Sequence, residues 1–250
     1  MRIRTVIVAS LALIGLAAAQ LGAQVTDSSS PNHVFAQFAD GRFSDGTFYR
    51  STMMVSSDSL NPISCTASLF GLSVAGFGNG NSRTFTVASG GWNIYRSPGS
   101  QNYDGGYATL NCTGSVTAQI LYTFYSPSGI VLSEATVFSS PAATYAQLLV
   151  DQRNDAQLGI AVANNGSATK EFVIVAIDAN DTEVGRVSTQ VASGGQIVKF
   201  LNELIDVPPN YVGQVLIYTN SADTLNIFAI GLRFTGIAFT TIPVTVRSAR

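Results

Sequence analysis

Residues 34–141 and 145–246 read as two copies of one unit. Phe35-Ala36-Gln37 opens the first and Tyr145-Ala146-Gln147 the second, and Val87-Ala88-Ser89-Gly90-Gly91 recurs letter for letter as Val191-Ala192-Ser193-Gly194-Gly195. Further on, Tyr122-Thr123-Phe124 answers Leu232-Arg233-Phe234, and Val137-Phe138-Ser139-Ser140 answers Ala238-Phe239-Thr240-Thr241. The matches lie roughly 100 residues apart with uneven spacing, the pattern of a duplicated domain carrying small loop insertions. Duplication without a catalytic motif points to a scaffold.

The local pattern is strand throughout. Runs rich in β-branched and aromatic residues occur at 47–55, 64–72, 84–88, 92–96, 107–112, 116–126 and 130–138. In the second unit they fall at 145–150, 156–163, 170–178, 183–190, 196–200, 212–219, 225–234 and 237–246. Turn-forming clusters such as Gly76-Phe77-Gly78-Asn79-Gly80-Asn81 and Ser126-Pro127-Ser128-Gly129 separate them. Leu201-Asn202-Glu203-Leu204-Ile205, halted by Pro208-Pro209, is the one helical piece. The expected fold class is all-β: two tandem β-sandwich domains of about 100 residues each after a signal peptide. Phe172-Val173-Ile174-Val175-Ala176-Ile177 is apolar on both faces, so one face should meet the opposite sheet and the other a neighbouring domain or subunit. The short, Pro-containing junction 139–144 should act as a stiff elbow.

Ahead of the units stands an address. Arg2 and Arg4 precede an apolar stretch from Val6 to Ala19, and small residues offer cleavage after Ala19 or Ala23. This layout is a secretory signal over residues 1–23, too short in its apolar run for a membrane span. A polar lead, 24–33, is expected to be loosely docked. The expected location is secreted, periplasmic or cell-surface, with no membrane span in the mature chain.

Charge narrows the partners. Only 11% of residues are charged and the net charge is −2. Removing the leader takes two arginines and no acid, so the mature chain is more acidic still. A nucleic-acid partner would need clustered Lys and Arg, which are missing. A surface so poor in charge has weak protection against self-association.

Cys65 and Cys112 both fall in the first unit. An even pair in an exported chain reads as a disulfide, and closing a loop of this length is worth about 4 kcal/mol in the chain-entropy treatment. C-x-x-C spacing is absent. Metal chemistry lacks ligands, since His33 is the sole histidine. Asp40-Gly41-Arg42-Phe43-Ser44-Asp45-Gly46 and Asp178-Ala179-Asn180-Asp181-Thr182-Glu183 lack full Ca²⁺-loop spacing and read as hairpin turns, so no metal and no cofactor is expected.

No G-x-S-x-G, H-E-x-x-H or G-K-[ST] pattern occurs. The acids that could work in pairs, Asp104, Glu134, Glu171 and Glu203, are isolated in sequence. No enzyme activity is expected. The one arguable ligand site gathers Trp92, Tyr95, Arg96, Asn102, Tyr103 and Asp104, whose aromatic faces and hydrogen-bonding groups suit sugar rings. Two readings of Trp92 stand side by side. Either it forms an exposed stacking platform with Tyr95, or it caps the sandwich core, where its loss would cost about 3–5 kcal/mol. The burial average of large aromatics favours the cap.

Tyr122-Thr123-Phe124-Tyr125-Ser126-Pro127-Ser128-Gly129, Glu134-Ala135-Thr136-Val137-Phe138-Ser139-Ser140, Gly231-Leu232-Arg233-Phe234-Thr235-Gly236 and Phe239-Thr240-Thr241-Ile242-Pro243 resemble segments of secreted, mostly uncharacterised proteins of environmental bacteria that pair two β-sandwich units. The resemblance spans nearly all of the mature chain and implies fold and export, with no activity or site residues to carry over. A looser resemblance to immunoglobulin-like domains rests on Trp92 lying between the two cysteines; the tyrosine-corner pattern is missing, since Leu110 and Asn111 precede Cys112. The functional expectation is a secreted structural or interaction module, adhesive or envelope-associated, partnered by protein or polysaccharide at the cell surface. The alternatives are a carbohydrate-binding module using the Trp92 patch, and a subunit of an extracellular fibre whose N-terminal lead completes a neighbour's sheet.

Overall fold

The computed structural model describes residues 29–219 and 227–247. The leader and both candidate cleavage sites lie outside the described residues. The fold is all-β, with three antiparallel sheets. The first half contributes β1 (Ser30–Arg42), β2 (Phe48–Ser56), β3 (Ile63–Phe70), β4 (Ser82–Val87), β5 (Trp92–Arg96), β6 (Asp104–Tyr125) and β7 (Val131–Phe138). The second contributes β8 (Tyr145–Asp151), β9 (Gln157–Asn164), β10 (Lys170–Asp178), β11 (Glu183–Val191) and β12 (Gln196–Phe200). After the one-turn α1 (Leu201–Leu204) follow β13 (Val212–Tyr218), β14 (Ile227–Thr235), β15 (Ala238–Ile242) and β16 (Thr245–Val246).

The first half is one seven-stranded sheet rolled into a nearly closed barrel, where two separate sheets were expected. The cause is β6. Its N-terminal part pairs with β1 and β3, and its C-terminal part with β2 and β7. The sequence pattern breaks this strand at Thr113-Gly114-Ser115, yet the backbone runs straight through. The two ends of the sheet come close enough for the Asn93 side chain on β5 to donate to the Thr86 carbonyl on β4, 3.3 Å away.

β1 occupies a stretch in which no strand was expected. His33 through Gly41 are nine consecutive buried residues, and three of them, His33, Gln37 and Asp40, are polar. A strand buried on both faces loses the alternation by which strands are recognised. Residues 30–33, expected to be loose, are part of this strand and reach Val116 of β6.

In the second half two sheets, β11-β10-β13-β8-β16 and β12-β9-β14-β15, share a core around Leu148, Ile160, Phe172, Ile174 and Ile217. The four-stranded sheet is buried on its other face too: Ala161, Ala163, Phe228, Ile230, Leu232 and Phe239 belong to the same apolar cluster as Phe35, Phe38 and Ile120 of the first half. The strand expected to need two partners, β10, meets its need differently. Phe172, Ile174 and Ala176 enter the core, while Val173 and Val175 form a small cluster with Leu216 that Tyr145, Ile177 and Tyr218 flank.

The connection between the halves is tied to both. Ser140 donates its N–H to the Val34 carbonyl (2.8 Å), and its hydroxyl oxygen accepts the Ala229 N–H (2.9 Å). The edges of β7 and β15 are bridged by side chains, with the Phe239 N–H donating to Ser133 Oγ at 3.0 Å. Such bridging also blunts two sheet edges that would otherwise be open.

Strand pairing in the two halves corresponds step by step. The order β4-β3-β6-β1 matches β11-β10-β13-β8, and the pairings β5-β2-β6-β7 match β12-β9-β14-β15. One strand, β6, does the work of both β13 and β14. The repeated Val-Ala-Ser-Gly-Gly segment makes the same turn twice: Gly91 and Gly195 each donate to an Ala carbonyl at 2.9 Å, and Gly90 and Gly194 have φ of 58° and 68°. Those left-handed angles suit glycine, which lacks the Cβ that would clash.

Candidate functional site

The structure disperses the six residues proposed from the sequence. β5 has a period of two, so Trp92, Ile94 and Arg96 point outward while Tyr95 points inward. Trp92 is 71% exposed, which overturns the expectation that it caps the core. It also cannot share a platform with Tyr95. That ring packs edge-on against Phe77, 4.9 Å between centroids, with the Arg83 guanidinium 5.2 Å from its centre. Asp104 begins β6 and accepts the backbone N–H groups of Ser73 and Gly105. Asn102 bridges to Arg42, and Tyr103 turns toward the second half.

Cys65 and Cys112 form the expected disulfide, with a 4.0 Å Cα separation. They are direct cross-strand neighbours on β3 and β6, so the bond lies within one sheet. The inter-sheet disulfide packed on Trp that marks antibody-type domains is therefore not reproduced. The bond fits folding in an oxidising compartment.

Around the outward part of β5 lies a cluster that the sequence did not reveal. Phe48 and Tyr125 are cross-strand partners on β2 and β6 and stack at 4.8 Å. Arg42 lies 4.3 Å over Phe48, Arg96 lies 5.8 Å over Tyr125, and Arg50 sits near both rings, at 5.3 and 5.6 Å. Each guanidinium makes one neutral hydrogen bond: Arg42 to the Gly46 carbonyl, Arg50 to the Pro98 carbonyl and Arg96 to the Tyr125 hydroxyl. Among the described residues none of the three is in an ion pair. Each keeps free N–H donors. Only the cross-strand register of β1, β2, β5 and β6 reveals the cluster, since its members are scattered over residues 42 to 125.

Tyr103 opens onto a cleft of about 290 Å³ between the halves. Tyr103 stacks on Phe43 (4.4 Å) and Tyr49 on Tyr122 (4.4 Å), and Phe239 and Phe234 extend the ring contacts into the second half. Gln196 donates to Gln37 at 3.0 Å, while Gln37 and Tyr103 hydrogen bond the Tyr122 hydroxyl. Burial raises the Tyr122 pKa well above the ordinary value, helped by Tyr103 and Tyr49, and burial likewise raises Tyr49 and Tyr103. These phenols stay neutral and act as hydrogen-bonding groups. The space falls just short of the roughly 300–1,000 Å³ of small-molecule sites, and its rings already face one another. It is a junction first.

The groups that could do acid–base chemistry are dispersed. His33 lines a trough of about 950 Å³ whose lining contains no Asp or Glu to orient it, and its Nε2 meets the carbonyls of Ser30 and Val116 at 3.0 Å. Glu134 accepts from Thr123 Oγ1 (2.9 Å), Glu203 accepts the Phe200 N–H (2.7 Å), and Glu171 is an exposed residue of β10. Asp40 is fully buried and accepts the Gly99 N–H at 2.7 Å. Burial pushes its pKa up, against the lowering effects of Ser97, Gly99 and Arg50. Asp178 makes the expected hairpin turn, accepting from the Asn180 and Thr182 N–H groups. Among the described residues no three His, Cys, Asp or Glu side chains gather as a metal site would require. Compared with models of known protein families and with curated proteins, the chain matches none.

Proposed function

We propose that the chain is an exported, non-catalytic interaction module of the cell surface or envelope, built from two related β-rich units behind a cleaved signal over residues 1–23. The observation that carries this reading is the outward face of β5. There Trp92 and Ile94 are 71% and 50% exposed beside an arginine with no acidic partner. An exposed large apolar pair beside unpaired charge is the composition of a contact surface. The disulfide supports export, and the tying of one half to the other supports a rigid presenting body. The partner is a protein or a polysaccharide outside the cell. The fibre reading has less to draw on, because residues 30–33 already pair with β6 of the same chain.

The test is turnover. Purified processed protein, assayed on glycoside, ester and peptide substrates, should release no product above the uncatalysed rate. Turnover that vanishes in Asp104→Asn or Glu134→Gln would remove the non-catalytic reading.

A further inference from the structure

The outward sides of β5, β2, β6 and β7 form one face, open at the Trp92 end and more enclosed at the other, where Thr123, Phe48 and Tyr125 are buried and Gly99 packs close against Arg50 and Phe48. Cross-strand register places Trp92, Ser56 and Thr117 in one row, Ile94, Met54 and Gln119 in the next, and Arg96, Thr52 and Leu121 in the third. Arg50, Thr123 and Glu134 form the fourth row, and Phe48 with Tyr125 the fifth, with Arg42 beside Phe48. A strand rises about 3.3 Å per residue, so Trp92 and Arg96 stand about 13 Å apart along β5. An exposed indole therefore marks one end of the strip and three guanidiniums the other.

Its counterpart in the second half has the opposite fate. Equivalent positions on β12, β9 and β14 are Gln196, Val198, Ala163, Ala161, Phe228 and Ile230, and Ala161, Ala163, Phe228 and Ile230 pack into the core shared with the first half. The first-half face has traded those small and aliphatic residues for Trp, Arg and hydroxyl side chains. It is not a second copy of the buried contact.

We propose that this face binds an extended acidic polysaccharide, with sugar rings against Trp92 and Ile94 and carboxylate or sulfate groups on Arg96, Arg50 and Arg42. This rests on the reading of the chain as an interaction module and names its partner. Charge complementarity selects the ligand. All four basic residues between 29 and 144 are arginines, and three of them converge here; among the described residues none of the three is in a salt bridge, and Arg50 alone feels a nearby acid, the buried Asp40. Aromatic backing pre-orders guanidiniums that would otherwise lose rotamer freedom on binding, and guanidinium forks match carboxylate and sulfate oxygens. Between the two ends, Thr52, Ser56, Thr117 and Gln119 supply hydrogen-bonding groups. Glu134 is the acid on this face and opposes binding; Asp45 lies in the adjoining β1–β2 turn, bonded to Thr47.

The probe is polygalacturonate in affinity electrophoresis of the purified processed chain, with dextran and poly-L-glutamate as parallel gels. Polygalacturonate should retard the protein in a salt-sensitive way, and dextran should not. Arg96→Gln and Trp92→Ala should each weaken retardation at least tenfold with unchanged melting, whereas Glu134→Gln should strengthen it. Equal retardation by poly-L-glutamate, indifference to Trp92→Ala and Arg96→Gln, or no retardation at all would each overturn the proposal. Release of shortened oligogalacturonides would instead strike the non-catalytic reading alone, which keeps the two failures apart.

Discussion

The two halves share a strand order but handle charge in opposite ways. In the first, every described arginine, at 42, 50, 83 and 96, lies over an aromatic ring, and none is in an ion pair among the described residues. In the second, Arg153 pairs with Asp151, Arg186 with Glu183 and Lys199 with Glu203, all exposed. Exposed ion pairs contribute little to stability and neutralise themselves. Ring-backed guanidiniums keep their charge available to solvent. The same contrast holds for faces: the second half hides its four-stranded sheet against the first, and the first leaves the corresponding face open. On the proposed reading, one unit is the brace and the other the presenting surface.

The disulfide breaks this comparison most severely, because only the first half has one. Replacing both Cys65 and Cys112 by Ser should cost about 4 kcal/mol, measured by chemical denaturation. Because Ile230, Leu232 and Phe239 belong to the first half's core cluster, hydrogen exchange in β9 and β14 should quicken along with that in β3 and β6. Unchanged protection in β9 and β14 would show that the halves unfold separately.

Phe239→Ala attacks the junction from the other side. Its ring touches Tyr49, Tyr122 and Phe234 and is 6% exposed. Its removal should cost about 3 kcal/mol, with a single transition in both thermal and denaturant melts. Two resolved transitions would mean that the remaining contacts cannot hold the halves together.

Much of the fold was legible in the residues, and the failures have causes. The paired Val-Ala-Ser-Gly-Gly segments became two equivalent turns because both put their first glycine at a left-handed backbone angle that glycine adopts without strain. β10 and β12 were placed within their observed bounds because each is punctuated by turn residues. β1 was missed because burial on both faces erases alternation. The continuity of β6 was missed because Gly114 and its polar neighbours resemble a turn, while the stagger between two sheets asks for a strand that crosses. At the site, Trp92 and Arg96 were named from the sequence, but their companions Arg42, Arg50, Phe48 and Tyr125 come together only through cross-strand register.

Alkaline pH should separate the halves by chemistry. Burial pushes Tyr95 and Tyr107 of the first half up to about 12 and raises Tyr49, Tyr103 and Tyr122 as well; in the second half, Tyr211 is pushed up to about 12. Unfolded tyrosines titrate near 10, so the folded state holds these protons more tightly than the unfolded chain does. Their contribution is intact below pH 10 and is lost as pH climbs from 10 through the raised values. Denaturant midpoints should fall over that interval, with the tyrosinate absorbance of these six rings rising at the transition. Ionisation of these six rings in the folded protein at about pH 10 would show that they are open to solvent.

The smallest effect is the sharpest test, because it compares one strand position in two contexts. Trp92 and Gln196 each follow the second glycine of the repeated turn and each begin an edge strand. Trp92 faces solvent, so Trp92→Ala should change stability by no more than about 0.5 kcal/mol, far from the 3–5 kcal/mol of a core cap. Gln196 faces the first half and donates to Gln37 and to the Ala36 carbonyl on β1. Gln196→Ala leaves those acceptors unpaired at a junction where water is scarce, at a cost of about 1–3 kcal/mol. Thermal melts of the two variants measure the difference directly. If Trp92→Ala proves the costlier, the outward face of β5 is covered in solution, and the first half is no longer the open partner of the pair.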